Sequence, residues 1–361
     1  MIMKEDTVMT MLDYIYEQPG IVQDVLEKRE KITREFCRIF VREMPDRLYL
    51  IASGTSCNGA KAAAPFMEYV LKRQVTVLPP SQLSQIYDKK AMLILISQGG
   101  KSTNTLAAAD RMKDFYKIAM TGSSESVLDS HCEGAVRIPC GEELAGPKTK
   151  GYTTTILTLY LMALEAAKEG YIIPQAEYDQ YIQVLTVAAG QMEENIRRSQ
   201  QWMERNMESL KTLSEIFLVG KGQGASIALE GALKVMETFL IPGVGFEFEE
   251  YLHGPACCLR ESTGGVYILP VPEDEDYDRI RKLVEYHRSV SGQVYTIGLA
   301  EAEDDRDCQL LSAGKWYTKP FEAIIPLQLI SAVIPGENGI DGLGMKHFKE
   351  LDTILSMKYK A

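Results

Sequence analysis

Residues 92–103 read Met-Leu-Ile-Leu-Ile-Ser-Gln-Gly-Gly-Lys-Ser-Thr: five apolar residues, then a run of small and polar ones. An apolar run with no alternation suits a strand covered on both faces, the usual state of a central strand in a parallel sheet. Helical TNTLAAADRMKDF, starting at Thr103, completes a strand, loop, helix unit. The loop at its bend, Ser97-Gln98-Gly99-Gly100-Lys101-Ser102, is of a size and polarity to hold an anion.

The same grammar appears on either side. Leu48 to Ala52 is a buried-strand pattern running into Ser53-Gly54-Thr55-Ser56 and an Ala-rich helix, after helical periodicity from about Met9 to Val41. Tyr116 to Met120 and Val136 to Pro139 read as further short strands. A long polar helical stretch from about Gln175 to Lys211 follows, and then Ile216 to Gly220 enters a second Gly-rich loop, KGQGAS, and a second helix. Strands at Val266 to Leu269 and Val294 to Ile297 complete that half. Strands alternating with helices predict an α/β fold: two doubly wound parallel sheets, flavodoxin-like three-layer units, in tandem. The expected organisation is a first domain over 1–185 with an N-terminal helix, a linker helix over 186–212, a second domain over 213–340, and a tail over 341–361 that covers the active site.

Composition sets limits on function. The 361 residues are 45% hydrophobic and 25% charged with a formal net charge of −11, globular values with too few clustered Lys and Arg to expect nucleic acid as a partner. The longest apolar stretch, Ile156 to Ala167, is short of the roughly 20 residues that cross a bilayer. With no signal-peptide core in MIMKEDTVMT, no membrane contact and a cytoplasmic location are expected. Seven cysteines at irregular spacing and four histidines with no H-x-x-x-H pair predict free thiols and neither a metal nor a cofactor.

Ser53 to Ser56 and Ser97 to Ser102 each end an apolar strand and begin a helix, where free N–H groups and hydroxyls converge. A single such loop reads equally well as a helix cap. Two adjacent ones would open on the same crevice at the carboxyl edge of the sheet and point to a phosphate. Gly100-Lys101-Ser102 is not the end of a P-loop, since Leu95 stands where that motif needs glycine. Gly220-x-Gly222-x-x-Ala225 fits the dinucleotide fingerprint loosely, but the expected chain beyond it is helix and then Pro242-Gly243-Val244-Gly245, with no strand ending in an acidic residue. Over Ala228 to Leu240, Leu229, Ala232, Leu233, Met236 and Phe239 form an expected core stripe, and Glu230, Lys234 and Glu237 share the opposite face. On spacing alone those three are a solvated ladder. His253 precedes Gly254-Pro255, at the negative end of a short helix, where Glu247, Glu249 and Glu250 are expected to orient its ring.

Taken together and in order, SGTS (53–56), ISQGGKSTNT (96–105), GEELAGPKTKGYT (141–153), ALEGALKVMET (228–238) and EEYLHGP (249–255) resemble the tandem sugar-phosphate isomerase (SIS) domain family over nearly the whole chain. That family includes the isomerase half of glucosamine-6-phosphate synthase and fructosamine-6-phosphate deglycases. The resemblance implies a phosphate and sugar grip of Ser53, Gly54, Thr55, Ser56, Ser97, Gln98, Gly99 and Ser102. Lys148 lies where the family usually writes V-A-S-T-K and this chain has GPKTK, a change suited to an anionic or amino-acid-bearing substrate. It further implies Lys234 as an active-site lysine, Glu237 as the proton-transfer base, His253 as the ring-opening histidine, and Lys358, or else Lys360, as a Schiff-base lysine near the C-terminus. The synthase carries a glutaminase ahead of this region, whereas here the chain opens almost directly on the helix before the first sugar domain, which points away from the synthase.

The resemblance implies an enzyme that cleaves a 6-phosphorylated sugar–amine adduct of the fructoselysine or glucoselysine type to a hexose 6-phosphate and a free amine. An aldose–ketose isomerase or amino sugar phosphate deaminase would use the same residues. A non-catalytic sugar-phosphate sensor is the alternative of another class, although nothing before residue 48 has the length or charge of a helix-turn-helix. In the family the histidine reaches a neighbouring subunit's site, so a homodimer or larger homo-oligomer is expected.

Overall fold

The structure, a computed structural model, describes residues 9–299, 301–340 and 343–359. Among the described residues, ten strands form two sheets: β1 (Arg47–Ile51), β2 (Gln74–Leu78), β3 (Met92–Ile96), β4 (Tyr116–Thr121) and β5 (Gly134–Arg137), then β6 (Ile216–Gly220), β7 (Gly243–Glu247), β8 (Gly264–Ile268), β9 (Val294–Gly298) and β10 (Asp307–Gln309). The helices are α1 (Met11–Glu27), α2 (Arg29–Glu43), α3 (Gly54–Leu71), α4 (Thr103–Arg111), α5 (Lys150–Glu169), α6 (Gln175–Arg205), α7 (Met207–Leu210), α8 (Gln223–Thr238), α9 (Phe248–Leu252), α10 (Tyr277–Val290), α11 (Lys319–Glu322), α12 (Ile325–Glu337) and α13 (Leu343–Leu355).

The sheets run β2-β1-β3-β4-β5 and β7-β6-β8-β9-β10, all parallel. Both therefore reverse direction at the same place, between the first and third strands of each half, where the carboxyl ends of parallel strands leave a crevice. Because side chains alternate across a strand, Leu48, Leu50, Ile94 and Ile96 face one core while Tyr49, Ile51, Leu93 and Leu95 face another. The first of these cores is continuous with Ile216, Leu218, Val266 and Ile268 of the second sheet. The inner faces of both halves thus share one apolar interior, which fixes the halves against each other.

Helix α5 lies in that interior, with every residue from Lys150 to Ala167 buried. The apolar stretch read as too short for a membrane is a core helix, and its threonines are tolerated because they bond to their own helix: Thr154 Oγ1 donates to Lys150 O at 2.7 Å, Thr155 to Gly151 O at 2.6 Å and Thr158 to Thr154 O at 2.7 Å. No helix among the described residues is long and apolar enough to cross a membrane. Helix α6, 31 residues long, runs unbroken across the expected boundary at 185/186. His287 is a buried core residue, bonded to Tyr267 Oη and Thr263 O at 3.0 Å each.

Three strands escape the sequence reading. β2 and β10 are edge strands, with pairing on one side only. The third corrects an expectation: Pro242-Gly243-Val244-Gly245 leads into strand β7, which pairs with β6 and ends on the acidic Glu247. Glycine-rich β7 gives no hydrophobic signal, because α8 packs on it so closely that a Cβ at Gly245 would fall 2.6 Å from the Ala228 backbone.

Candidate active site

The two hydroxyl-rich loops lie at the carboxyl ends of adjacent strands β1 and β3. In the second, Gly100 takes a left-handed φ of +63°, and a Cβ there would fall 2.0 Å from Ser126 Oγ, so the turn requires glycine. Ser97 Oγ donates to Ser102 Oγ at 3.2 Å, and Ser102 is the N-cap of α4 without a side-chain bond to the helix. Of the first-turn amides of α4, Thr105 and Leu106 donate back to Ser102 O and Thr103 to Met357 O, which leaves the Asn104 amide without a partner among the described residues. Gln98 is fixed from behind by Cys140, with the amide donating to the thiol at 2.6 Å. In the first loop, Ser53 caps α3 without a cap bond and accepts from Asn104 Nδ2 at 3.0 Å, so the two loops touch.

Thr55 does not face an open anion site. Its hydroxyl donates to Glu230 Oε1 at 3.0 Å, and Asn58 Nδ2, one turn further along α3, donates to Glu230 Oε2 at 2.8 Å. Glu230 belongs to α8 in the other half of the chain, so a buried carboxylate ties the helix that starts the first loop to the second domain. Lys234 lies 3.5 Å from Glu230 and also bonds Glu237. Lys234 and Glu230 are fully buried, whereas the Glu237 side chain is 37% exposed.

This revises the expected stripe on α8: Ala232 and Phe239 are in the core as expected, but Leu229 and Leu233 are half-buried. Met236 is 44% exposed, while the charged face read from spacing as solvated lies inside. Residues facing the core are Ile227, Ala228, Gly231, Ala232 and Val235, small because the helix packs tightly against β6, β7 and α3. Burial works against the Lys234 ammonium, but Glu230 and Glu237 outweigh it and hold its pKa above the usual lysine value. Burial drives the Glu230 carboxyl upward, opposed by Lys234, Asn58 and Thr55. The result is a relay of carboxylate, ammonium and carboxylate with only its last member partly exposed.

Two further segments border Glu237. The loop between β5 and α5 is anchored by Glu143, whose carboxylate accepts from Thr149 N (2.6 Å), Thr149 Oγ1 (2.8 Å) and Gly151 N (3.1 Å) and caps the start of α5. It carries Lys148, whose amine donates to the Glu143 and Ala145 carbonyls at 2.5 and 3.2 Å. The neighbouring Lys150 is neutralised by Glu17, 2.6 Å away. The C-terminal segment closes over this region: a Cβ at Gly344 would fall 2.2 Å from Glu237 O, and Met345 packs on Gly146. Beyond α13 the chain pairs with the second loop, Thr103 N donating to Met357 O at 3.1 Å and Tyr359 N to Lys101 O at 2.8 Å, with Lys358 opposite Ser102. Lys360 lies outside the described residues.

His253 stands apart. Its ring is exposed and its Nδ1 pairs with Glu249 O at 2.8 Å. The three carboxylates do not orient it: Glu247 caps α9, Glu249 pairs with Arg279 at 2.6 Å, and Glu250 has no side-chain bond to the ring. The second-domain loop is filled from within, since Lys221 is held by Asp274 and Asp276 at 2.8 and 2.7 Å. Its acidic strand end, Glu247, is occupied by the α9 amides. Sequence reasoning missed Asn58, Glu143 and Cys140, and gave Glu230 no role. Each acts through another side chain, and only the polarity of Asn58 one turn after Thr55 hinted at this.

No family model matches the chain. Over 349 residues it is 26% identical to the glutamine–fructose-6-phosphate aminotransferase (isomerizing) of Clostridium tetani, across 92% of this chain and 56% of that enzyme. The chain thus spans little more than half the length of the curated relatives it matches. Among solved structures it is similar to a candidate phosphosugar isomerase from Clostridium difficile, with a TM-score of 0.86 and 28% identity over 92% of this chain and 94% of that one. It is similar also to a candidate sugar-binding protein from Salmonella typhimurium, with a TM-score of 0.80 and 26% identity over 90% and 100%.

Proposed function

We propose, for a chain that belongs to the tandem SIS-domain sugar-phosphate family, that it is a cytoplasmic enzyme cleaving a 6-phosphorylated sugar–amine adduct to a hexose 6-phosphate and a free amine. The observation that supports this reading is the Glu230–Lys234–Glu237 relay, buried except for the partly exposed Glu237, on a helix tied by Thr55 and Asn58 to the first hydroxyl-rich loop. Ser53, Gly54, Ser56, Ser97, Gln98, Gly99 and Ser102 grip the phosphate through hydroxyls, amide and backbone N–H groups. Phosphate binding then positions the open-chain sugar, converting binding energy into orientation at the far end of the molecule.

For a fructosamine-type substrate, His253 opens the ring by moving a proton between the ring oxygen and the anomeric hydroxyl. Glu237 takes a proton from C1 while the C2 oxygen takes one from solvent, giving an enaminol; the proton then returns to C2 as the nitrogen lone pair forms the C1–N double bond, so that C2 carries an alcohol and C1 a protonated imine. Water adds to that imine, the C1–N bond breaks, and the aldose phosphate and amine leave. The glucosamine-type adduct runs through the same steps with C1 and C2 exchanged. A positioned acid or base contributes about 10²–10⁴ in rate. Lys234 keeps Glu237 in place, and Lys358, carried to the second loop by the C-terminal segment, is available to the open-chain carbonyl. The exposed ring of His253 suits service in a neighbouring copy's crevice, and a homodimer is part of the proposal.

The test is incubation of the protein and its Glu237→Gln variant with fructoselysine 6-phosphate and glucoselysine 6-phosphate, following lysine and hexose 6-phosphate together. Lysine release by the wild type, reduced at least a hundredfold in the variant, is the expected result. Binding without release of lysine from either compound would reject cleavage and turn attention to amino sugar phosphates as substrates for isomerisation or deamination.

A further inference from the structure

Among the described residues, one hydrogen bond joins the first hydroxyl-rich loop to the helix that the second one opens. The residue that makes it, Asn104, belongs to neither loop and is the second residue of α4. Its side-chain Nδ2 donates to Ser53 Oγ at 3.0 Å. On the other side of the same amide, the Thr105 hydroxyl donates to Asn104 Oδ1 at 3.4 Å, which keeps the oxygen on Thr105 and the amino group on Ser53.

That bond decides what Ser53 offers. A serine in front of a helix ordinarily turns its oxygen back onto an amide of that helix. Ser53 makes no such bond to α3, and the backbone N–H groups of Gly54, Thr55 and Ser56 have no partner among the described residues. One lone pair of Ser53 Oγ is taken by Asn104, while its proton is committed to no described residue and is free for an acceptor. Across the gap, the Asn104 N–H is the first-turn amide of α4 left without a partner. Four amides and one hydroxyl proton, donors all, thus stand at the starts of helices of 18 and 9 residues, where both dipoles favour an anion. We infer that Asn104 is a positioning residue of the phosphate grip: its side chain takes the Ser53 oxygen as acceptor and so turns the Ser53 proton toward the phosphate. This rests on the reading of the two loops as a phosphosugar grip, and the experiment separates the two.

Dissociation constants for fructose 6-phosphate and for inorganic phosphate are measured by calorimetry on the full chain, for the wild type, Asn104→Ala, Ser53→Ala, the double variant and Ser53→Thr. Each alanine variant is expected to bind fructose 6-phosphate about tenfold more weakly, the order of one hydrogen bond to a charged group. Because Asn104 acts through Ser53, the double variant loses no more than Ser53→Ala alone. Ser53→Thr, which keeps the hydroxyl, stays within about threefold of the wild type, and inorganic phosphate follows the same order. Losses that multiply in the double variant would show Asn104 acting independently of Ser53 and overturn the inference. So would an Asn104→Ala variant with a lowered denaturation midpoint but dissociation constants within about twofold of the wild type, the mark of a purely structural tie. A wild type that binds neither ligand rejects the phosphosugar grip itself, and the role of Asn104 with it. Failure of the adduct-cleaving reading shows separately, as absence of lysine release by a wild type that binds fructose 6-phosphate.

Discussion

The Thr55 hydroxyl and the Glu230 carboxylate, 175 residues apart in the chain, lie 3.0 Å apart in the fold. With the Asn58 amide on the other carboxylate oxygen at 2.8 Å, they make one buried clamp between α3, which begins in the first hydroxyl-rich loop, and α8, which carries Glu237. The clamp adds a polar tie to the shared core that already fixes the two halves.

Glu230→Gln replaces one acceptor oxygen by a donor where three donors already converge. One of Thr55, Asn58 or Lys234 then loses its partner inside the protein, and breaking a buried pair of this kind costs about 3–5 kcal/mol. The expected result is a lower denaturation midpoint in urea with an unchanged slope, and a loss in turnover exceeding that in phosphosugar affinity.

Lys234→Met leaves the Glu230 carboxylate buried without its cation. Burial already drives that carboxyl above 4.5, the ordinary glutamate value, and removing the ammonium drives it further. The folded variant then binds a proton that the unfolded chain has not yet taken up, so its stability relative to wild type improves as pH falls toward 4.5. Denaturant unfolding of both proteins between pH 8 and 5 is expected to show the deficit greatest at pH 8 and narrowing steadily. A deficit independent of pH would mean that Glu230 is not the group left uncompensated.

Lys319 in the second half gives the opposite slope. Its amine donates to Leu269 O at 2.8 Å, and burial, opposed by Glu322 and Asp274, lowers its pKa from 10.5 to about 8. Above pH 8 the folded protein releases this proton before the unfolded chain does, so the cost of holding the charge disappears as pH rises from about 8 to 10.5. Lys319→Met is expected to stabilise the protein by roughly 1–3 kcal/mol at pH 7, a gain that vanishes by about pH 10.5 when melting temperatures are compared.

The C-terminal segment separates a structural from a chemical role. Its backbone bonds to Lys101 and Thr103 are kept in Lys358→Met and lost on truncation after Leu355. If the amine matters, both variants lose turnover of the adduct by at least tenfold. If only coverage matters, the truncated protein alone does. Neither change touches the shared core, so the melting temperature is expected to move by less than about 2 °C.

The sequence by itself determined the architecture, because a doubly wound sheet is written in local terms. Met92 to Ile96 must be a strand covered on both faces, and the residues after it must bend and start a helix. The repeat of that grammar at Ile216 announced the second sheet. The edge strands β2, β7 and β10 stayed hidden, since β10 is only three residues long, β7 is glycine-rich, and all three are paired on one side only. The tertiary structure alone decided the fate of the charged face on α8. Helical spacing places Glu230, Lys234 and Glu237 together but cannot say whether water or protein lies against them, and the hydrophobic count favoured water. Contact with Thr55 and Asn58, brought from the other half of the chain, supplies the hydrogen bonds that make burial of those charges affordable. Likewise, only the fold gives Lys150 the Glu17 carboxylate and lays the Lys148 amine on the backbone carbonyls of Glu143 and Ala145.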